Sequence, residues 1–218
     1  MKKLIFVLLF LILCGCANSD DVSNQLDKVF SVEYSSNYRA NNYTNYIEYY
    51  LPSDVYETGA DDVSYTFVTN DCNFIMNINI ARIVNKNYYQ NIELSDEGFF
   101  DQNKLVYSHS GEYSNLDGVP VSFIFEAFEY DNKYILYLTS DEINLCGTCP
   151  KKDIGLLASK MMQMASNCDV DNSRVVDDYS SKDVIDYEKS SVNLFEYVFP
   201  TEGRVDDMMI DQSETVSE

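Results

Sequence analysis

An α+β fold is predicted for this chain, a single antiparallel β-sheet of hairpins with a C-terminal helix packed on one face, and three observations predict it. Residues Asn73 to Ile83 alternate apolar and polar side chains with the period of two that marks a half-buried strand. Asn70-Asp71, Asp117-Gly118 and Asp131-Asn132 each place turn residues between apolar runs, the pattern of β-hairpins. From Ile154 the apolar period changes to 3.6, that of a helix lying on a core. With 45% of 218 residues hydrophobic and 23% charged, the chain can bury a core and is neither wholly disordered nor collagenous.

The elements follow in order. Met1-Lys2-Lys3, the apolar run Leu4 to Leu13 and then Cys14-Gly15-Cys16 read as a signal peptide over residues 1–15. The apolar run is too short to span a bilayer, which takes ~20 residues. Residues 16–28 read as a polar tether, 29–168 as the folded domain, and 169–218 as an acidic, largely flexible tail.

In the domain, Val63 to Val68 pairs with Asn73 to Ile83, with Phe74, Met76, Ile78 and Ile80 on one face and Asn77 and Asn79 on the other. A second hairpin joins Lys104 to Tyr107 with Val121 to Phe128, and a third joins that strand to Tyr134 to Thr139, where Tyr134, Leu136 and Leu138 share a face. Ile154, Leu157, Ala158, Met161, Ala165 and Cys168 form one helical stripe, with Asp153 as N-cap and Pro150 stopping backward extension. The tail holds 14 acids and 4 bases, and its one apolar run, Val192 to Phe199, reads as an added edge strand docked on the domain or as a partner-binding segment.

Leu13-Cys14-Gly15-Cys16 resembles a bacterial lipobox. The resemblance implies that Cys16 takes a diacylglycerol thioether, becomes the mature N-terminus and holds the chain at the outer face of the cell membrane. Two or more acyl chains make such attachment stable, since each buried CH₂ is worth ~0.8 kcal/mol. The order of hairpins and one late helix is similar to PsbP/Mog1-like domains of bacterial lipoproteins. Tyr49-Tyr50-Leu51-Pro52 and Phe74-Ile75-Met76-Asn77 resemble segments of small lipoproteins from low-GC Gram-positive bacteria. Neither resemblance carries a catalytic motif.

Charge excludes one class of partner. Loss of residues 1–15 takes Lys2 and Lys3 and leaves 13 bases against 36 acids, a net charge of −23. A surface so acidic repels nucleic acid over about one Debye length, ~8 Å at physiological salt.

With Cys16 used by lipid, Cys72, Cys146, Cys149 and Cys168 remain in an exported, disulfide-permissive chain. A helix of about a dozen residues between Cys149 and Cys168 spans ~18 Å, and a disulfide tolerates Cα separations of at most ~7 Å. If two bridges form, the expectation is therefore Cys146–Cys149 and Cys72–Cys168. Cys146-Gly147-Thr148-Cys149 also resembles a thioredoxin redox motif, but Pro150 keeps Cys149 out of the α region, so no helix N-terminus can activate Cys146.

Other chemistry is sparse, and the reading assigns no catalytic residue, metal or cofactor. His109 is the only histidine, and Gly-x-Ser-x-Gly and phosphate-cradling loops are absent. Asp169-Val170-Asp171-Asn172-Ser173 starts like a calcium loop, but Arg174 stands where glycine is needed and Ser180 where a bidentate glutamate belongs. Tyr38, Tyr43, Tyr46, Tyr49, Tyr50 and Tyr56 read first as half-buried strand residues and second as a surface for a glycan or protein partner. The expected function is a lipid-anchored binding or accessory module, with a thiol-disulfide redox protein using Cys146 and Cys149, or a purely structural envelope protein, as alternatives.

Overall fold

The computed structural model describes residues 21–32, 38–88, 100–131 and 133–180. They form a mixed α and β architecture built on an antiparallel sheet of seven strands. The first elements are α1 (Val22–Phe30), β1 (Asn42–Tyr43), β2 (Ile47–Tyr49), β3 (Tyr56–Ala60), β4 (Ser64–Thr69), β5 (Cys72–Ile78) and α2 (Ile80–Tyr88). A 3₁₀ turn at Gln102–Lys104 leads into β6 (Leu105–Ser114), β7 (Pro120–Tyr130), β8 (Lys133–Ser140) and β9 (Ile143–Cys149). A second 3₁₀ turn at Lys151–Asp153 precedes α3 (Ile154–Ala165), β10 (Cys168–Val170) and α4 (Asn172–Tyr179). The large sheet has the order β3-β4-β5-β9-β8-β7-β6, and β1-β2-β10 form a small second sheet.

All three expected hairpins are present, at β4–β5, β6–β7 and β7–β8. Asn70, Gly118 and Asp131 adopt positive φ at their turns, which is why the chain places Asn, Gly and Asp there. The expected strand to Ile83 is too long. Strand β5 ends at Ile78, and Asn79 starts α2, its Oδ1 accepting from the Arg82 amide at 3.4 Å.

One face of the large sheet carries the main core. Phe67, Phe74, Met76, Phe125, Leu136, Leu138 and Leu145 point to it, and Leu157, Ala158 and Met161 of α3 cover them. Helix α3 is also buried at Met162 and Met164, outside the expected stripe, because α1 covers its far side with Val22 and Leu26. The polar tether expected through residue 28 is thus corrected, since Val22, Leu26, Val29 and Phe30 fall at i, i+4, i+7 and i+8 and form a core helix. On the opposite face Ile75, Phe100, Phe128, Ile135, Tyr137 and Cys146 make a second cluster. Burial on both faces explains why β8 reads as the nearly continuous apolar run Tyr134 to Leu138.

The expectation of one sheet and one helix is corrected as well. Four helices and two sheets are present among the described residues. Cys168 does not continue α3: it opens β10 and pairs with Tyr49 of β2. The supposed tail from residue 169 therefore contributes β10 and α4, with Val175 fully buried. Val192 to Phe199 lies outside the described residues. No helix among the described residues is long and apolar enough to cross a membrane.

Candidate functional site

An open, polar groove of about 610 Å³ lies where α2, α4 and the β8–β9 turn converge, lined by Ile83, Lys86, Asn87, Asp141, Glu142, Asn172, Ser173, Val176 and Asp177. Its volume is that of small-ligand sites. Local sequence builds each wall. Arg82 and Lys86 are four residues apart on α2, so they share a face and both bind the Asp141 carboxylate, Arg82 Nε at 2.6 Å. Asp171 caps α4 by accepting from the Arg174 amide at 3.0 Å, which is the structural use of the segment that starts like a calcium loop. Asn79 ties the groove floor to the sheet, donating to Ser140 O and Asn144 Oδ1, while its amide binds Glu142 O at 2.8 Å.

Two adjacent carboxylates in this groove have opposite electrostatics. Burial pushes Asp141 up, but hydrogen bonds from Lys86 and Arg82 outweigh it and hold the carboxyl below its ordinary value. Glu142 is raised, first by burial and then by the Asp169 and Asp141 charges, and the hydrogen bond from Asn172 Nδ2 at 2.9 Å does not offset this. The groove thus presents donors from Lys86, Asn87, Asn172 and Ser173 beside acceptors from Glu142 and Asp177.

Cys72, Cys146, Cys149 and Cys168 are all buried, and none stands against its expected partner. Cys146 and Cys149 both lie on β9, three residues apart, so their side chains leave opposite faces of the sheet. Cys146 sits in the second cluster with Ile75 and Tyr137, where burial pushes its thiol up to about 12. Cys149 faces the main core. Cys168 lies past the C-terminal end of α3, its thiol donating to Ala165 O at 3.2 Å, and burial pushes it up. Cys72 lies at the other end of that helix, next to the Lys152–Asp71 ion pair that precedes α3. About 18 Å of helix separates them, which corrects the Cys72–Cys168 pairing.

Cys72 instead meets Cys149. The antiparallel register of β5 and β9 pairs Asn73 with Thr148, and one step further it sets Cys72 opposite Cys149. The two thiols interact across the pair, which lowers Cys72 and raises Cys149. Gly147, between the two cysteines of β9, has a packing role. A Cβ there would stand 2.6 Å from Phe74 Cβ of β5 and 3.1 Å from Leu157 Cδ2 of α3, so Phe74 can lie this close to β9 only opposite a glycine.

Ser108 and Ser110 leave the opposite face of β6 from His109, whose ring stacks on Phe30 of α1 with centroids 4.5 Å apart. Among the tyrosines, Tyr46 and Tyr49 are buried, Tyr49 within strand β2 and Tyr46 in the bend just before it. Tyr38, Tyr43 and Tyr56 are exposed, and Tyr38 stacks on Tyr50 at 4.5 Å. No group of three or more His, Cys, Asp or Glu among the described residues could hold a metal ion.

Compared with known proteins, the chain matches no family model, and neither a curated protein nor a solved structure is significantly similar to it. The groove was missed by sequence reading because its walls come from residues 83–87, 141–142 and 172–177, which only the fold brings together. The Arg82/Lys86 spacing and the Asp171 cap were local signals that could have marked two of those walls.

Proposed function

We propose that this is an exported protein, anchored through Cys16 lipid to the outer face of the bacterial membrane, that acts as a non-enzymatic binding or accessory module. The groove between α2 and α4 is the surface it offers. The observation that carries this reading is the groove's chemistry: fixed donors and acceptors on rigid elements, with no histidine or cysteine among its lining residues. Such a site can orient a polar group of a protein or glycan partner. The lipobox-like Leu13-Cys14-Gly15-Cys16 supports the anchor, and the net charge of the processed chain argues against nucleic acid.

Two arms test this. Cells expressing the full chain and fed an alkyne-tagged palmitate should label it and leave it in the detergent phase, whereas Cys16→Ser should be unlabelled and aqueous. Retention of Cys16→Ser in the detergent phase would reject the anchor. In cross-linked envelopes, Asn87→Glu combined with Asp177→Lys, both at exposed groove positions, should lose the partners captured by wild type while keeping its melting temperature. Unchanged capture would remove the groove from the function.

A further inference from the structure

The two thiols that meet across the centre of the large sheet carry an inference that needs neither the anchor nor the groove. We infer that Cys72 and Cys149 form a cross-strand disulfide between β5 and β9, while Cys146 and Cys168 remain thiols.

Three observations support it. Opposed residues of an antiparallel pair have Cα atoms ~4.5–5.5 Å apart, inside the ~4.4–6.8 Å that a disulfide spans. Cys72 and Cys149 are both buried in the main core, on the same face of the sheet. Neither remaining cysteine can compete, because Cys146 leaves the opposite face of β9 and Cys168 lies beyond the far end of α3. The position also gives the bond a purpose: β5 closes the N-terminal meander β3-β4-β5, and β9 closes the meander β6 to β9. A bond from Cys72 to Cys149 fastens the two halves at the seam.

The chemistry is thiol–disulfide exchange with a disulfide oxidant, RSSR. The Cys72 thiolate attacks one sulfur of RSSR, its S–S bond breaks, and RS⁻ leaves and takes up the proton that Cys72 gave up. The Cys149 thiol then loses its proton and attacks the Cys72 sulfur of the mixed disulfide, expelling the second RS⁻, which that proton converts to RSH. Two electrons pass from the protein dithiol to RSSR, giving one protein disulfide and two RSH. Both sulfurs are buried in the folded chain, so exchange takes place while β9 docks on β5 during folding and is slow afterwards.

The test is to refold the reduced full chain with oxidised and reduced glutathione, block free thiols with N-ethylmaleimide under denaturing conditions, and map peptides without reduction. The expected result is a Cys72–Cys149 linked peptide with Cys146 and Cys168 both alkylated. Adding oxidised glutathione after folding should form the bond at least ~10-fold more slowly, as burial requires. The oxidised protein should melt ~5 °C or more above the reduced one, and Cys72→Ser with Cys149→Ser should abolish that difference. Should the double variant fail to fold, the wild-type map still decides. Alkylation of both Cys72 and Cys149 after refolding, or a link from either to Cys146 or Cys168, would overturn the inference.

Discussion

The two ends of the β5–β9 pair handle burial in opposite ways. At one end Cys72 faces Cys149 beside Phe74, Gly147 and Leu157, and sulfur packs against hydrocarbon. At the other, the strands run out at Ile78 and Ile143 and hand over to Asn79, Asp141 and Glu142, where charges are partly buried. Close packing maintains the first end, and partner count maintains the second. Asp141 has two cations and stays ionised, whereas Glu142 has one neutral donor and resists ionisation. A site for polar ligands can form only at the second end, because only there are polar groups held at the surface by other polar groups.

The sharpest way to break this contrast is at the dry end. Leu157→Ala should lose ~3 kcal/mol in chemical denaturation, the transfer and cavity cost of a fully buried leucine. Gly147→Ala should cost ~2 kcal/mol by overpacking, since Phe74 Cβ lies only 2.6 Å from the added methyl position and is no flexible tip. If Gly147→Ala melts like wild type, the close approach of Phe74 on β5 to Gly147 on β9 is wrong.

At the charged end the expected effects are smaller and depend on pH. Asp141→Asn should cost about 2 kcal/mol at pH 7, because it neutralises the carboxylate that Arg82 and Lys86 both bind. Asp141 is lowered in the folded state, so its contribution is present above the ordinary value of 3.8 and is lost as pH falls through the folded pKa. Urea melts should therefore separate variant from wild type at pH 7 and converge in strong acid. Glu142 has the opposite sign. Its folded pKa is raised above 4.5, so its favourable contribution exists below that value and disappears as pH rises through the folded pKa. Glu142→Gln should accordingly stabilise by about 0.5 kcal/mol at pH 7 and change nothing at pH 3. A destabilised Glu142→Gln at pH 7 would mean that the ionised carboxylate holds the groove together. The smallest effect belongs to Lys152→Ala, whose ion pair with Asp71 is exposed on both sides and should leave the melting midpoint unmoved.

The sequence by itself determined the local structure, because local structure answers to nearest neighbours. Asn70, Gly118 and Asp131 announce hairpins through their tolerance of positive φ, and the Ile154 to Ala165 stripe announces α3 through its spacing. The helices at α1, α2 and α4 carried the same kinds of signal in Val22/Leu26/Val29/Phe30, the Asn79 cap and the Asp171 cap. They were masked by polar surroundings, by a strand that runs straight into a helix, and by an acidic stretch that resembles a tail. Only the tertiary structure decided which cysteines meet and where the groove lies. Two hairpins can be joined in several strand orders with equal local quality, and the choice of β9 as the neighbour of β5 depends on which faces bury best once α3 lies across them. That choice puts Cys72 at the start of α3 and Cys168 beyond its end, and it brings residue 82 to residue 141 across nearly sixty residues of chain.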